Sequence, residues 1–198
     1  GGIKMIKREA YEELEKRYGD IASWAIWAPG EDDEESSINI EDMSVFDEPD
    51  LLDKIHSDFV IIGLNPSKDN PKKDKYDGSW WMFHMGKNDH KLRYAFTDTP
   101  IWGAYMTDLY KGQFAGTEDK LSVNDELIKS AIKELKKELT ILGGKPKLIA
   151  LGNQVRDVLE EHLSDEYEIY RMYNHGYRFK PIEYWKEQTL EILEDLGL

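Results

Sequence analysis

The amino-acid sequence predicts a single α/β domain, a three-layer α/β/α sandwich with four parallel strands at its centre. Two observations carry this prediction. Short apolar runs at 58–64 (DFVIIGL), 103–110 (GAYMTDLY), 147–151 (KLIAL) and 167–173 (YEIYRMY) read as strands. Helical patterns lie between and after them, the strongest at 122–142. Alternating strands and helices imply a parallel sheet covered on both faces and joined by right-handed crossovers. The 198 residues fit one domain, taken as 3–198, with Gly1-Gly2 set aside as a tag remnant.

Taken in chain order, residues 6–18 (IKREAYEELEKRY) have an amphipathic helical pattern that Gly19 ends. Residues 30–50 form an acidic loop. The run at 58–64 is nearly all apolar and is bounded by Asn65-Pro66-Ser67, which is how a strand buried on both faces reads. Residues 67–100 show no clear period; they are polar and aromatic, and long loops tend to carry function. In 122–142, Ser122 with Asp125 approximates a capping box, and Leu127, Ile128, Ala131, Ile132, Leu135 and Leu139 share one face. Gly143-Gly144 stops that helix. A helix over about 153–163 follows Gly152, and Pro181 suits the first residue of a final helix.

Composition excludes several classes of function. There is no cysteine, so disulfides, thiolate zinc sites, cysteine nucleophiles and cysteine-held iron–sulfur clusters are absent. No apolar run approaches a membrane span, and a cytoplasmic protein without a membrane partner is expected. No Gly-x-Gly-x-x-Gly, phosphate-loop or Gly-x-Ser-x-Gly sequence occurs, and no cofactor is expected. His84 and His90 lack metal-ligand spacing, and no metal is expected. The net charge of −14 argues against broad nucleic-acid binding. However, residues 31–50 hold ten acids and no Lys or Arg, whereas 68–93 hold seven bases against four acids. The charge is therefore unevenly spread.

In sheets of this type, ligands bind beyond the carboxyl ends of the strands. Four clusters follow the four strands: Asn65-Pro66-Ser67; Thr107 and Asp108; Gly152, Asn153 and Gln154; and Asn174, His175, Gly176, Tyr177 and Arg178. They are expected to converge on one rim.

The segment Gly63-Leu64-Asn65-Pro66-Ser67 resembles the first motif, Gly-Ile-Asn-Pro-Gly, of the mismatch-specific, cluster-free branch of the uracil-DNA glycosylase superfamily. The segment 103–110 resembles that family's middle strand, and 148–152 (LIALG) the strand before its last helix pair. Asn174-His175-Gly176 stands where the family has its second motif, often His-Pro-Ser. The resemblance spans roughly residues 58–193. It implies a hydrolase of DNA repair that cleaves the N-glycosidic bond of a modified or mismatched base. Asn65 would position the attacking water and His175 would stabilise the departing base. Gly63, Phe83, Asp108 and Asn174 would hold the base, with Phe83 as the stacking face. Ser67, Lys87, Arg93 and Arg178 would meet the nucleic-acid backbone.

That chemistry passes through an oxocarbenium-like sugar and an anionic leaving base, so positioned water and donors to the base oxygen are required. The base must also leave the stack and lie on an aromatic face. Three departures from the family pattern stand out. Asp108 replaces an Asn that reads uracil; an ionised carboxylate only accepts hydrogen bonds, which favours an amino-bearing base. The Pro-Ser after His175 is missing. The absence of cysteine excludes the iron–sulfur branch. The alternative reading is a non-catalytic protein that binds a nucleobase, nucleotide or other planar ligand on the same scaffold.

Overall fold

A computed structural model describes residues 5–30, 36–66, 76–112 and 122–198 of the chain. All four expected strands form; the one at 147–151 matches its apolar run, and the other three are a little shorter than theirs. In chain order the elements are α1 (Arg8–Tyr18), β1 (Ala22–Trp24), a 3-10 turn (Ser44–Asp47), α2 (Leu51–Lys54), β2 (Phe59–Gly63), α3 (His90–Phe96), β3 (Tyr105–Asp108), α4 (Asp125–Leu142), β4 (Lys147–Leu151), α5 (Asn153–Leu163), β5 (Ile169–Met172) and α6 (Glu183–Asp195).

The sheet has five strands rather than four, in the order β1-β3-β2-β4-β5. β2, β3, β4 and β5 are parallel, while β1 runs antiparallel along the edge beside β3. The extra strand has only three residues, all buried, so its sequence shows neither alternation nor a strand-length run. β2 is central and buried along its whole length, as its Val-Ile-Ile run requires.

Pairing register places Tyr105, Val60 and Leu148 on one face, and Asp108, Gly63, Leu151 and Met172 on the other. α4 covers the first face, where Tyr105 donates to Glu138 Oε2 at 2.7 Å. α6 covers the second, where the Thr189 hydroxyl meets the Met172 sulfur at 3.9 Å. α1 packs on α4, and α3 on α6. Helices on both faces of a mostly parallel sheet are compatible with the expected three-layer order.

α4 buries Ala131, Ile132, Leu135, Leu139 and Leu142, each large apolar side chain contributing about 1.5–3 kcal/mol. Its cap differs from the expected one. The Asn124 side chain accepts from Leu127 N–H at 2.9 Å, so Asn124, not Ser122, starts the helix. Likewise Pro181 lies just before α6 rather than at its first residue. Among the described residues, no helix is long and apolar enough to cross a membrane.

Candidate functional site

β3 lies on one side of β2 and β4 on the other, so strand order reverses at β2. The carboxyl ends of β2 and β4 therefore flank a topological switch point, the usual ligand crevice of such sheets. Asn65 follows β2 at this rim, Gly152 follows β4, and His175 follows β5. The loops are held close together. Gly152 N–H donates to Met172 carbonyl at 2.7 Å, and a Cβ on Gly152 would stand 3.9 Å from Asn174 Cβ. Gly152 has φ +98, which a side chain would strain.

Gly63 and Asp108 are register partners at the ends of β2 and β3. A Cβ on Gly63 would collide with Asp108 Oδ1 and lie 3.7 Å from Phe83 Cε1. The missing side chain at Gly63 is what lets the carboxyl and the ring approach the same spot. Phe83 sits at φ +65, a conformation a bulky residue rarely adopts, and is buried. Trp27 Nε1 donates to its carbonyl at 3.0 Å and helps hold it there. Across the rim, the His175 ring lies 6.3 Å from the Phe83 ring. Phe83 thus bridges the β2–β3 end of the rim to the segment after β5.

Asp108 is buried, and burial pushes its carboxyl up to about 7. Lys111 and His175 pull it down without reversing that shift. Near neutral pH the group therefore exchanges between carboxylate and neutral acid. The neutral acid donates a hydrogen bond, which an ionised group cannot do. The sequence-based preference for amino-bearing ligands rested on a permanently ionised Asp108 and weakens accordingly.

His175 is held by a residue the sequence did not single out. Its Nε2 lies 3.0 Å from Asp89 Oδ1, while Asp89 Oδ2 accepts from Gly86 N–H at 2.6 Å. Burial raises the Asp89 carboxyl, but the His175 and Gly86 hydrogen bonds outweigh it and hold the group below its ordinary value. An ionised Asp89 takes the Nε2 hydrogen. His175 Nδ1 is buried and has no hydrogen-bond partner among the described residues. In the neutral ring Nδ1 is then an acceptor; it becomes a donor only when the ring is protonated.

A second missed group lies behind Asp108. Lys111 Nζ donates to the Asp108 carbonyl at 2.7 Å and pairs with Glu138 of α4, itself fully buried and pushed up by burial. No local pattern shows these partners: Asp89 meets a histidine 86 residues away, and Lys111 reads as an ordinary cation after a strand.

The other expected residues divide. Asn65 is half-buried, with Nδ2 donating to the Pro66 carbonyl at 3.1 Å. Asn174 is half-buried and accepts from Gly176 N–H at 2.7 Å, so its oxygen shapes the turn that carries His175. Lys87 and Arg178 are exposed. Arg93, expected at the nucleic-acid backbone, is instead turned into the fold. It is buried, and its guanidinium donates to the Ala28 carbonyl at 2.8 Å and the Ser36 carbonyl at 2.6 Å. Loop carbonyls that strands leave unpaired need such a donor. Ser67 lies outside the described residues, as do Lys68, Lys72, Lys73 and Lys75 of the basic stretch. Trp80 and Trp81, which follow the first motif in the chain, are both buried and pack inside.

Two open depressions lie away from this rim. One of about 810 Å³ sits at the amino ends of β4 and β5, beside Lys147, Glu160 and Tyr167. One of about 500 Å³ is lined by Glu41, Asp47, Tyr76 and Met85, among others. Their volume exceeds what their chemistry supports, because neither gathers buried polar groups as the carboxyl rim does. Among the described residues, no group of three or more His, Cys, Asp or Glu is placed to hold a metal ion. A scan against family models found no match to this chain, and neither did a search of curated proteins.

Proposed function

We propose that the protein is a divergent uracil-DNA glycosylase-like hydrolase that cleaves the N-glycosidic bond of a modified or mismatched base. The observation that carries this reading is the gathering of Gly63, Asp108, Phe83 and His175 at the strand-order reversal, on the rim where Asn65 follows β2. A planar base fits that chemistry: a bare glycine backbone, an aromatic ring and an edge-reading carboxyl. Asn65 orients the water. Asp108 in its neutral form donates to a base carbonyl, and in its ionised form accepts from an amino group or ring N–H. His175, once protonated, keeps one donor on Asp89 and offers the other to the departing base.

The test is a panel of oligonucleotides, each with one modified base. Base release and alkali-labile strand breaks are read for the wild type, Asn65→Ala and Asp108→Asn. Release from at least one substrate, lost in Asn65→Ala, is the expected result. A wild type inert on every substrate overturns the reading.

One observation favours the alternative, a nucleobase or nucleotide binder without catalysis. Arg93 is turned into the fold, which removes one of the cations assigned to the phosphates. Equilibrium binding of free bases and nucleotides, dependent on Asp108 and unaccompanied by cleavage, would establish it.

A further inference from the structure

Beyond His175 the chain emerges onto the surface as a series of rings. Tyr184 and Tyr173 lie 5.4 Å apart, Tyr173 and Tyr177 are stacked 5.2 Å apart and nearly parallel at 14°, and Tyr177 and Phe179 lie 5.4 Å apart. The series grows more exposed along its length, with Tyr177 at 37% and Phe179 at 81%. Phe179 is the most exposed large apolar side chain among the described residues, and its contact with Tyr177 makes it part of a patch rather than a lone surface residue.

Cations run beside the rings. Arg171 lies over Tyr173 at 4.7 Å, Lys180 over Tyr184 at 5.0 Å, and Arg178 is exposed between Tyr177 and Phe179. Residues 171–186 hold four bases and one acid, in a chain whose net charge is −14. Lys91 Nζ donates to the Tyr177 carbonyl at 3.2 Å, which ties the segment to α3. The Asp89–His175 pair anchors the start of the same segment at the rim.

We propose that the exposed rings Tyr177 and Phe179, backed by Tyr173 and Tyr184 and flanked by cations, are a docking surface for a single strand of nucleic acid that leaves the rim beside His175. The inference deepens the proposed function and rests on it for the strand's direction, not for its binding. Aromatic faces among cations suit unpaired bases, because every base has a face to stack and a phosphate within reach. A duplex hides its base faces and spreads a dense, rigid negative charge over a protein that is acidic elsewhere. An acidic peptide would use the cations and leave the rings unused.

The test is fluorescence anisotropy with a labelled, undamaged oligothymidylate of about 12 nucleotides, a length in the range of known single-strand sites. Its duplex, a polyglutamate peptide and anionic lipid vesicles are measured alongside. Wild type, Phe179→Ala, Arg178→Gln and Asn65→Ala are compared. Phe179→Ala should fold normally, since the ring is mostly in water, and a urea midpoint checks this. The expected result is a preference for the single strand that Phe179→Ala weakens roughly 5- to 100-fold, the usual worth of one stacked base. Arg178→Gln should lower the slope of log affinity against log salt by about 0.7. Equal binding of duplex, peptide or vesicle, no binding at low salt, or indifference to Phe179→Ala overturns the proposal. The oligonucleotide carries no damaged base and Asn65→Ala retains the surface, so strand docking can hold while base release fails, and the reverse.

Discussion

Replacing Asp108 with Asn removes a titrating carboxyl from a buried position while keeping its shape. Burial raises this group from 3.8 to about 7. That difference corresponds to a cost of about 4 kcal/mol for holding the ionised form in the folded state. The sign follows from proton counting. Between the two values the folded protein binds one proton more than the unfolded chain, so wild-type stability falls as pH rises from about 4 to about 7, and the loss is complete above that. Asn escapes the titration but brings an amide whose own desolvation costs about 1–2 kcal/mol. At pH 8 the variant should be more stable by about 2–3 kcal/mol. At pH 4, where only the amide cost remains, it should be less stable by about 1–2 kcal/mol. Urea unfolding from pH 4 to 8 measures both curves. A gap that does not change with pH, or a variant less stable throughout, would refute the burial argument.

His84 titrates the other way: burial lowers its imidazole to about 4, and it is wedged between Trp27 and Phe46 with Nε2 2.8 Å from Ser23 Oγ. The unfolded chain binds the extra proton, so acidification from 6.5 to about 4 costs stability, about 3 kcal/mol in total, and His84→Gln should flatten that limb of a urea-midpoint series. Asp89→Ala leaves the Gly86 N–H and the His175 Nε2 without their acceptor and should cost about 2–3 kcal/mol; a loss below about 1 kcal/mol in chemical denaturation would contradict the pairing. Lys111→Met strands Glu138 in the interior and should cost about 3–5 kcal/mol, and adding Glu138→Leu should recover most of it, which a double-mutant cycle reads directly.

The sequence was most informative where the signal is local. The Val-Ile-Ile run of β2, the apolar stripe of α4 and the glycine stop after it repeat over enough residues to define their elements. β1 and α3 escaped notice for the opposite reason. Three buried residues have no period, and seven helical residues inside a polar, aromatic stretch form because α6 covers them.

The carboxyl-end rule also placed Asn65, Asp108 and His175 on one rim from the sequence, since strand polarity alone decides that. The sequence could not show what surrounds them. The position of Arg93 in the interior, the grip of Asp89 on His175 and the ion pair behind Asp108 join residues far apart in the chain. Burial is a property of the packed whole, and burial is what raises Asp108 and leaves Phe179 in water. Residue types and strand ends therefore named the candidates, and tertiary packing set their partners and ionisation.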